Sequence, residues 1–433
     1  MLFRSRDVLE YVPSGGEITT LPDPLADQLR VGVCRQCQGL VEDPTNTAAC
    51  PYCLTPPANN GYRMVDVVEP PGFTTWYAID AEFSGGFEFT PRALRPRAGA
   101  TPPGIEQRRN FDLGAGPARI YRINDNAGAD FVFRKLGNSH AWISDDAFQR
   151  ALLDLPAARA RQIPLPPYDT QRAPIACALA SISTTDVLSA GIVDTPLGIT
   201  LNPTIPEARA AWYSFGFMIR RAAAVHLDIA ESELDIGVNP TRDLGIPFAP
   251  PSARIFISDT LENGAGYSTH LGSATLFEDL LRSILAADRE GFAAPMLAAD
   301  HERECATSCH RCLREYGNMP YHPLLDWRLG LDMVRLALDP AAELTLAVTY
   351  WATLVGRNAE AYFRGLDLTP TTFGSLPAAR GYSGEALILI HPLWDTTPTN
   401  MHALLADAIA EAERQGFRAE ARSIFRAVRF PFE

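Results

Sequence analysis

Residues 34–53, CRQCQGLVEDPTNTAACPYC, set the fold at the start of the chain. Two Cys-x2-Cys pairs, Cys34 with Cys37 and Cys50 with Cys53, stand twelve residues apart. Four thiolates on two short knuckles can close tetrahedrally around one zinc ion. The short, polar, Pro-containing loop between them suits a zinc ribbon, a small module without a core of its own. A second cluster, Cys305-x3-Cys309-x2-Cys312, supplies three ligands within eight residues, with His301, His310 and His322 close enough in sequence to offer a fourth. The two clusters use seven of the eight cysteines. The eighth, Cys177, sits in the apolar stretch PIACALASI and reads as a buried core thiol. Two structural zinc ions are expected, because closed sites of this kind leave no open coordination position for catalysis.

Thiols spaced for metal, with no export signal, point to a reducing cytoplasmic setting. The opening MLFRSRDVLEYVPSGGE places Arg4, Arg6, Asp7 and Glu10 where a signal peptide needs an apolar stretch. The longest apolar runs, around 175–182 and 385–394, fall short of the roughly 18 residues of a membrane helix, so a soluble chain with no membrane partner is expected. With 433 residues, 46% of them hydrophobic, the chain is long enough for several cores. The net charge of -13 argues against a surface that binds nucleic acid everywhere. The charge is uneven, however: between Arg92 and Lys135, eight arginines and one lysine face only Glu106, Asp112, Asp125 and Asp130.

Lys135 is the single lysine, and no glycine-rich turn precedes it. A P-loop needs a lysine to reach the nucleotide phosphates, so no ATPase motor is encoded in this sequence. Paired His-x-Lys phosphodiesterase motifs are excluded on the same count, and Schiff-base chemistry is disfavoured by it.

The fold class expected is α+β, a mixed α/β multidomain chain. A four-cysteine zinc ribbon occupies 1–60, and a β-rich, locally basic region follows over 61–170, with alternating runs such as FEFT, ARIYRI and ADFVFRK and a loop at 95–104. A helical-rich α/β zinc-binding core spans 171–340, and a small C-terminal α/β unit spans 341–433. After Pro174 the periodicity reads as helical. Thr204 with Glu207, and Thr275 with Glu278, read as capping boxes, the second opening a helix that stops near Gly291. Residues 254–258 read as a core strand, and a further helix continues from Pro323. LTLAVTYW, ALILIHPLW and ARSIFRAVRF read as strands, with a helix over 401–415.

Three pieces, DTLENGAGY (259–267), CATSCHRCLREYGN (305–318) and HPLLDWRLGLD (322–332), resemble the zinc-binding domain at the C-terminal end of MrfA-type helicases. They also look like DrmB, the accessory protein of the DISARM phage-defence system, which carries a related domain. TDVL (185–188) and SFGFMIRRAAAVHLDIAESELDIG (214–237) are similar to upstream segments of that domain. The resemblance implies a metal-stapled, non-motor module that works with a superfamily-two DNA helicase, in phage defence or DNA repair. In the family pattern C-x-C-x3-C-x2-C, the last three cysteines fall on Cys305, Cys309 and Cys312, and the first falls on Arg303, which cannot bind metal. His322, at the start of the next helix, is then the preferred fourth ligand, with His301 and Cys177 as alternatives.

No catalytic residue is assigned. Asp259 ends a strand before Gly264 and Gly266, a turn that can present amides to a phosphate or simply pack tightly. Arg108, Arg109, Arg119 and Arg122 interleave with Phe111, Tyr121, Phe131 and Phe133. Such mixing builds either a nucleic-acid groove or a β-core with a solvated arginine face. The alternative function is a metal-dependent hydrolase or nuclease, acting through carboxylates near Gly264 or through His391 and Asp395 beside Trp394. HExxH, GxSxG and paired His-x-Lys motifs are all missing from the sequence.

Overall fold

The computed structural model describes residues 23–45, 48–58, 60–70, 96–99, 106–135, 142–144, 173–243, 249–286 and 292–431, with the strand segments Asp7–Leu9 and Thr74–Thr75. The architecture is mixed α/β, with two sheets and several helices among the described residues. The chain divides into two units, 1–100 with 119–183, and 101–118 with 184–433.

In the first unit, Leu29–Cys34 pairs antiparallel with Leu40–Glu42 on one side and Tyr62–Val68 on the other. Alternation along these strands buries Val31, Val33, Val65 and Val67 against Tyr121 and Ala178, while Arg30 and Asp66 pair at 3.0 Å on the opposite face. Tyr62–Val68 runs parallel to the start of the long strand Ile175–Ile192, which then pairs antiparallel with Phe131–Lys135. The run FEFT lies outside the described residues, whereas ARIYRI and ADFVFRK fall on the strands Phe111–Asn124 and Phe131–Lys135.

The helical reading after Pro174 is corrected by the 18-residue strand Ile175–Ile192. Its apolar run IACALA can serve either period, and the β-branched Ile182, Thr184, Thr185 and Val187 favour the extended form.

In the second unit, residues 187–191 of that strand pair antiparallel with Ser252–Asp259, which pairs in turn with Leu234–Thr241. Helix α1 (Pro206–Leu227) is buried along most of its length by Trp212, Phe215, Met218 and Ile219. Each such side chain contributes roughly 2 kcal/mol on leaving water. The helices that follow are α2 (Tyr267–Leu271), α3 (Ala274–Leu285), α4 (Ala299–Glu304) and α5 (Trp327–Leu338). Helices α1 and α5 approach closely at Gly330, where a Cβ atom would lie 2.7 Å from Met218 Cε and 3.1 Å from the Ser214 carbonyl oxygen.

Neither expected capping box forms. Pro206 occupies the first turn of α1, and Glu207 accepts hydrogen bonds from Ser423 Oγ at 2.8 Å and Arg426 Nε at 2.7 Å. Ser273 precedes α3, and Glu278 turns to three arginines. The expected stop near Gly291 lies outside the described residues, and α3 ends at Leu285.

LTLAVTYW is not a strand. Its last three residues begin α6 (Thr349–Gly365), and Leu344 and Leu346 are buried in the loop before it. Thr369–Phe373, Leu376–Arg380, Glu385–Ile390 and Arg418–Ser423 form a four-stranded sheet. Its last pair is parallel, with α7 (Ala403–Arg414) in the connection. In ARSIFRAVRF only the first three residues are strand and the next six are helix, because Ser423 caps α8 (Ile424–Arg429). One hydrophobic core runs from Phe111 to Ala427.

Candidate metal centres

The first cluster is built by two tight turns at one end of a strand pair. Cys34 closes the strand Leu29–Cys34, and its amide donates to the Gly39 carbonyl at 3.0 Å. The residue after each knuckle, Gln38 (φ 65°) and Leu54 (φ 61°), adopts the left-handed conformation that turns the chain back. The Cys34 and Cys53 sulfurs stand 3.5 Å apart, and those of Cys37 and Cys50 stand 3.7 Å apart. Zinc–sulfur bonds of about 2.3 Å in a tetrahedron require about 3.8 Å between sulfurs, so the four donors fit one zinc ion. The hydrogen bonds shared among the four sulfurs split them: Cys34 is held down to about 7 and Cys53 is lowered too, while Cys37 and Cys50 are pushed up.

The second cluster gathers His301, Cys305, Cys309 and Cys312, with the ligand atoms all within 4.8 Å of one another. His301 and Cys305 lie four residues apart at the end of α4, hence on one helical face. His301 Nε2 is 3.4 Å from Cys309 Sγ, and Nδ1 lies 2.7 Å from the Met296 carbonyl oxygen. That outer hydrogen bond fixes the ring with Nε2 toward the sulfurs. Burial pushes the His301 imidazole down, but its contacts with Cys312 and Met296 raise it to about 9, so metal binding displaces a proton. Cys312 is held down to about 4, chiefly by Cys305.

His322, the preferred fourth ligand, is not in this group. Its Nε2 lies 2.8 Å from Asn318 Oδ1 and 3.1 Å from the Glu315 carbonyl oxygen, a polar pocket after the loop. Cys177 packs with Leu25, Val68, Phe133 and Trp142 in the first unit, where burial pushes its thiol up to about 12. It is the core thiol expected. Arg303 is exposed and bonds back to the Ala299 carbonyl at 3.2 Å.

Residues that hold the second loop were not read from the sequence. Arg328, with a side chain that has no exposure, donates to the carbonyl oxygens of Cys305 (3.1 Å), Ala306 (3.0 Å) and Tyr350 (3.0 Å). Arg221 donates to the Cys312 carbonyl, and the Trp327 amide to that of Thr307 at 3.2 Å. The signal available was an arginine embedded in the apolar stretch LLDWRLGL.

Asp259, His391 and Asp395, singled out for hydrolysis, are engaged within the fold. Asp259 is buried, and its carboxylate accepts from the amides of Ala265 (2.7 Å), Tyr267 (3.1 Å) and Ser268 (2.9 Å). The turn's amides thus meet this chain's own carboxylate. His391 is fully buried, with Nε2 2.9 Å from Asp332 Oδ2 and Nδ1 accepting from the Leu393 amide. Asp395 closes a local turn with Thr397 and Asn400. Glu262, Asp300 and Glu304 are exposed, the last two paired with Arg311.

In the basic stretch, the rings of Phe111, Tyr121 and Phe133 are buried, and Phe131 is half-buried. Arg108 and Arg109 both pair with Glu278, joined by Arg282, and these three contacts hold the Glu278 carboxyl down to about 2. Arg119 pairs with Glu42 at 3.0 Å, and Arg122 lies half-buried on the same strand. Asn110, at the hairpin tip, sends its side-chain amide to the carbonyls of Asp194 and Leu336, both at 2.8 Å. No helix among the described residues is long and apolar enough to cross a membrane.

Residues 215–313 match the family model of the MrfA zinc-binding domain. A stretch of 132 residues, 30% of this chain, is 33% identical to the Druantia protein DruE of Escherichia coli (strain UMEA 4076-1) and covers 6% of that protein. Among solved structures, the chain is similar to the DUF1998 helicase MrfA bound to DNA, at 8% identity and a TM-score of 0.31, over 56% of this chain and 24% of the other. The chain thus spans under a quarter of the length of each of these relatives. The second cluster lies at the end of the segment similar to an MrfA zinc-binding domain, and the two clusters together fit two zinc sites.

Proposed function

We propose that this chain is a non-motor accessory module, stapled by two zinc ions, that works with a superfamily-two DNA helicase. The observation that carries the reading is the coincidence of the 215–313 match with a four-donor cluster at its end. The ligands assigned are Cys34, Cys37, Cys50 and Cys53 in one site, and His301, Cys305, Cys309 and Cys312 in the other. When bound, zinc supplies cross-links that fix two loops. Its sites are closed, so the module acts by holding a surface in place rather than by chemistry at the metal.

The biological setting proposed is phage defence of the DISARM type, or DNA repair, in line with the resemblance of 259–332 and the identity to the Druantia protein. DNA is the second partner proposed, met chiefly by the exposed Arg119 with Arg122 on the same strand, whereas Arg108 and Arg109 are held by Glu278. With three of the four rings buried, these arginines address phosphates rather than stacked bases. The test is reconstitution with a superfamily-two helicase on single-stranded, duplex and forked DNA. Stimulated unwinding, together with a stable complex, supports the reading. A helicase that neither binds the chain nor changes rate in its presence overturns it.

A further inference from the structure

We propose that the second metal cluster and the C-terminal helix α8 are mechanically coupled through a buried relay, Arg328–Asp326–Arg429, so that each holds the other in place. At one end, Arg328 grips the metal loop by the carbonyls of Cys305 and Ala306 while also bonding the Tyr350 carbonyl at the start of α6. In the middle, Asp326 caps α5, accepting from the Arg328 amide at 3.2 Å and standing 3.8 Å from its guanidinium. At the far end, Arg429 of α8 lies 3.4 Å from Asp326 Oδ2. It donates to the carbonyls of Pro323 and Leu325, both at 3.1 Å, and lies 3.6 Å over the Phe425 ring.

Three features make this a relay rather than a set of local contacts. Arg328 and Asp326 are shut off from solvent, so neither can exchange a lost partner for water. Only the folded metal loop presents two adjacent carbonyls to one guanidinium, a fork that a lysine cannot reproduce. Charge also alternates along the path. Three thiolates and a neutral imidazole around Zn²⁺ carry one net negative charge, followed by the positive Arg328, the negative Asp326 and the positive Arg429. Opening the loop therefore strips a buried guanidinium of acceptors, and the strain passes to the α5 cap and on to α8.

The test uses the full chain loaded with metal, with backbone hydrogen exchange followed at 424–429. Cys309→Ser is expected to speed exchange there roughly tenfold, by raising the population of a locally open state, while Cys53→Ser in the first cluster leaves it unchanged. In the reverse direction, Arg429→Met is expected to weaken cobalt binding at the three-sulfur, one-nitrogen site roughly 10- to 100-fold, the usual cost of losing an outer partner. The four-sulfur site, distinguished by its own absorption, keeps its affinity. Unchanged exchange at 424–429 in Cys309→Ser, or unchanged cobalt affinity in Arg429→Met, overturns the coupling. If Cys309→Ser does not fold, Arg429→Met decides alone.

Discussion

His301 and Arg303 stand two positions apart on α4, and that offset explains the second site. The family spacing points at Arg303, whose side chain leaves the loop and bonds back to its own helix. An imidazole reaches further than a cysteine thiol, so a ligand two residues earlier, in register with Cys305, can meet the same sulfurs. His301→Ala is accordingly expected to cost the second site its metal, leaving one zinc per chain by elemental mass spectrometry, whereas His322→Ala retains two. The cysteines were legible because spacing alone defines them. The fourth donor was not, because it depends on how α4 turns relative to the loop. Glu278 carries a second prediction at this scale. Its carboxyl is held down from 4.5 to about 2 by Arg109, Arg108 and Arg282. A depressed folded-state value gives stability that is complete above about pH 4.5 and disappears as pH falls through about 2. The difference in unfolding free energy between the wild type and Glu278→Gln should therefore be flat near neutrality and shrink across that window.

The element most poorly read from sequence is the hairpin around Arg109 and Asn110. Composition assigned it to the β-rich first half, yet Glu106–Arg108 and the start of Phe111–Asn124 belong with the second unit. At its tip Asn110 is 1% exposed, and its side chain makes hydrogen bonds to Asp194 and Leu336, beside the ion pairs of Arg108 and Arg109 with Glu278. No local period reports such a long-range attachment. Asn110→Ala would leave two carbonyls and one amide without partners, costing about 2–4 kcal/mol in urea unfolding if the groups stay dry. A loss below about 0.5 kcal/mol would mean that water reaches the tip. The strands of 344–351 and 421–430 failed for a related reason. Short apolar runs fit either period, and the capping Ser423 and the helix beginning at Thr349 decide between them.

At the scale of the whole molecule, electrostatics sets the terms for any nucleic-acid partner. A chain with a net charge of -13 repels DNA at long range, so binding must rest on a local surface, and three arginines of the basic stretch, Arg108, Arg109 and Arg119, already have carboxylate partners. Engaging a phosphate then means exchanging one anion for another. Arg108 and Arg109 are poor candidates for release, because Glu278 is buried and would lose two of its three cations. Arg119 is the better one, since its side chain is 52% exposed and Glu42 retains the Tyr121 hydroxyl as a donor. Arg119→Glu is therefore expected to weaken duplex binding and to lower the slope of log affinity against log salt by about 0.9, one phosphate contact, with only a small loss of stability at its solvent-screened pair with Glu42. Reversal at Arg108 and Arg109 should instead lower stability, because it places like charges against Glu278. Electrophoretic titrations at several salt concentrations, beside thermal melts of the same variants, separate the two. If Arg119→Glu leaves the slope unchanged while the chain still binds DNA, the contact surface lies elsewhere and the basic stretch is a solvated face.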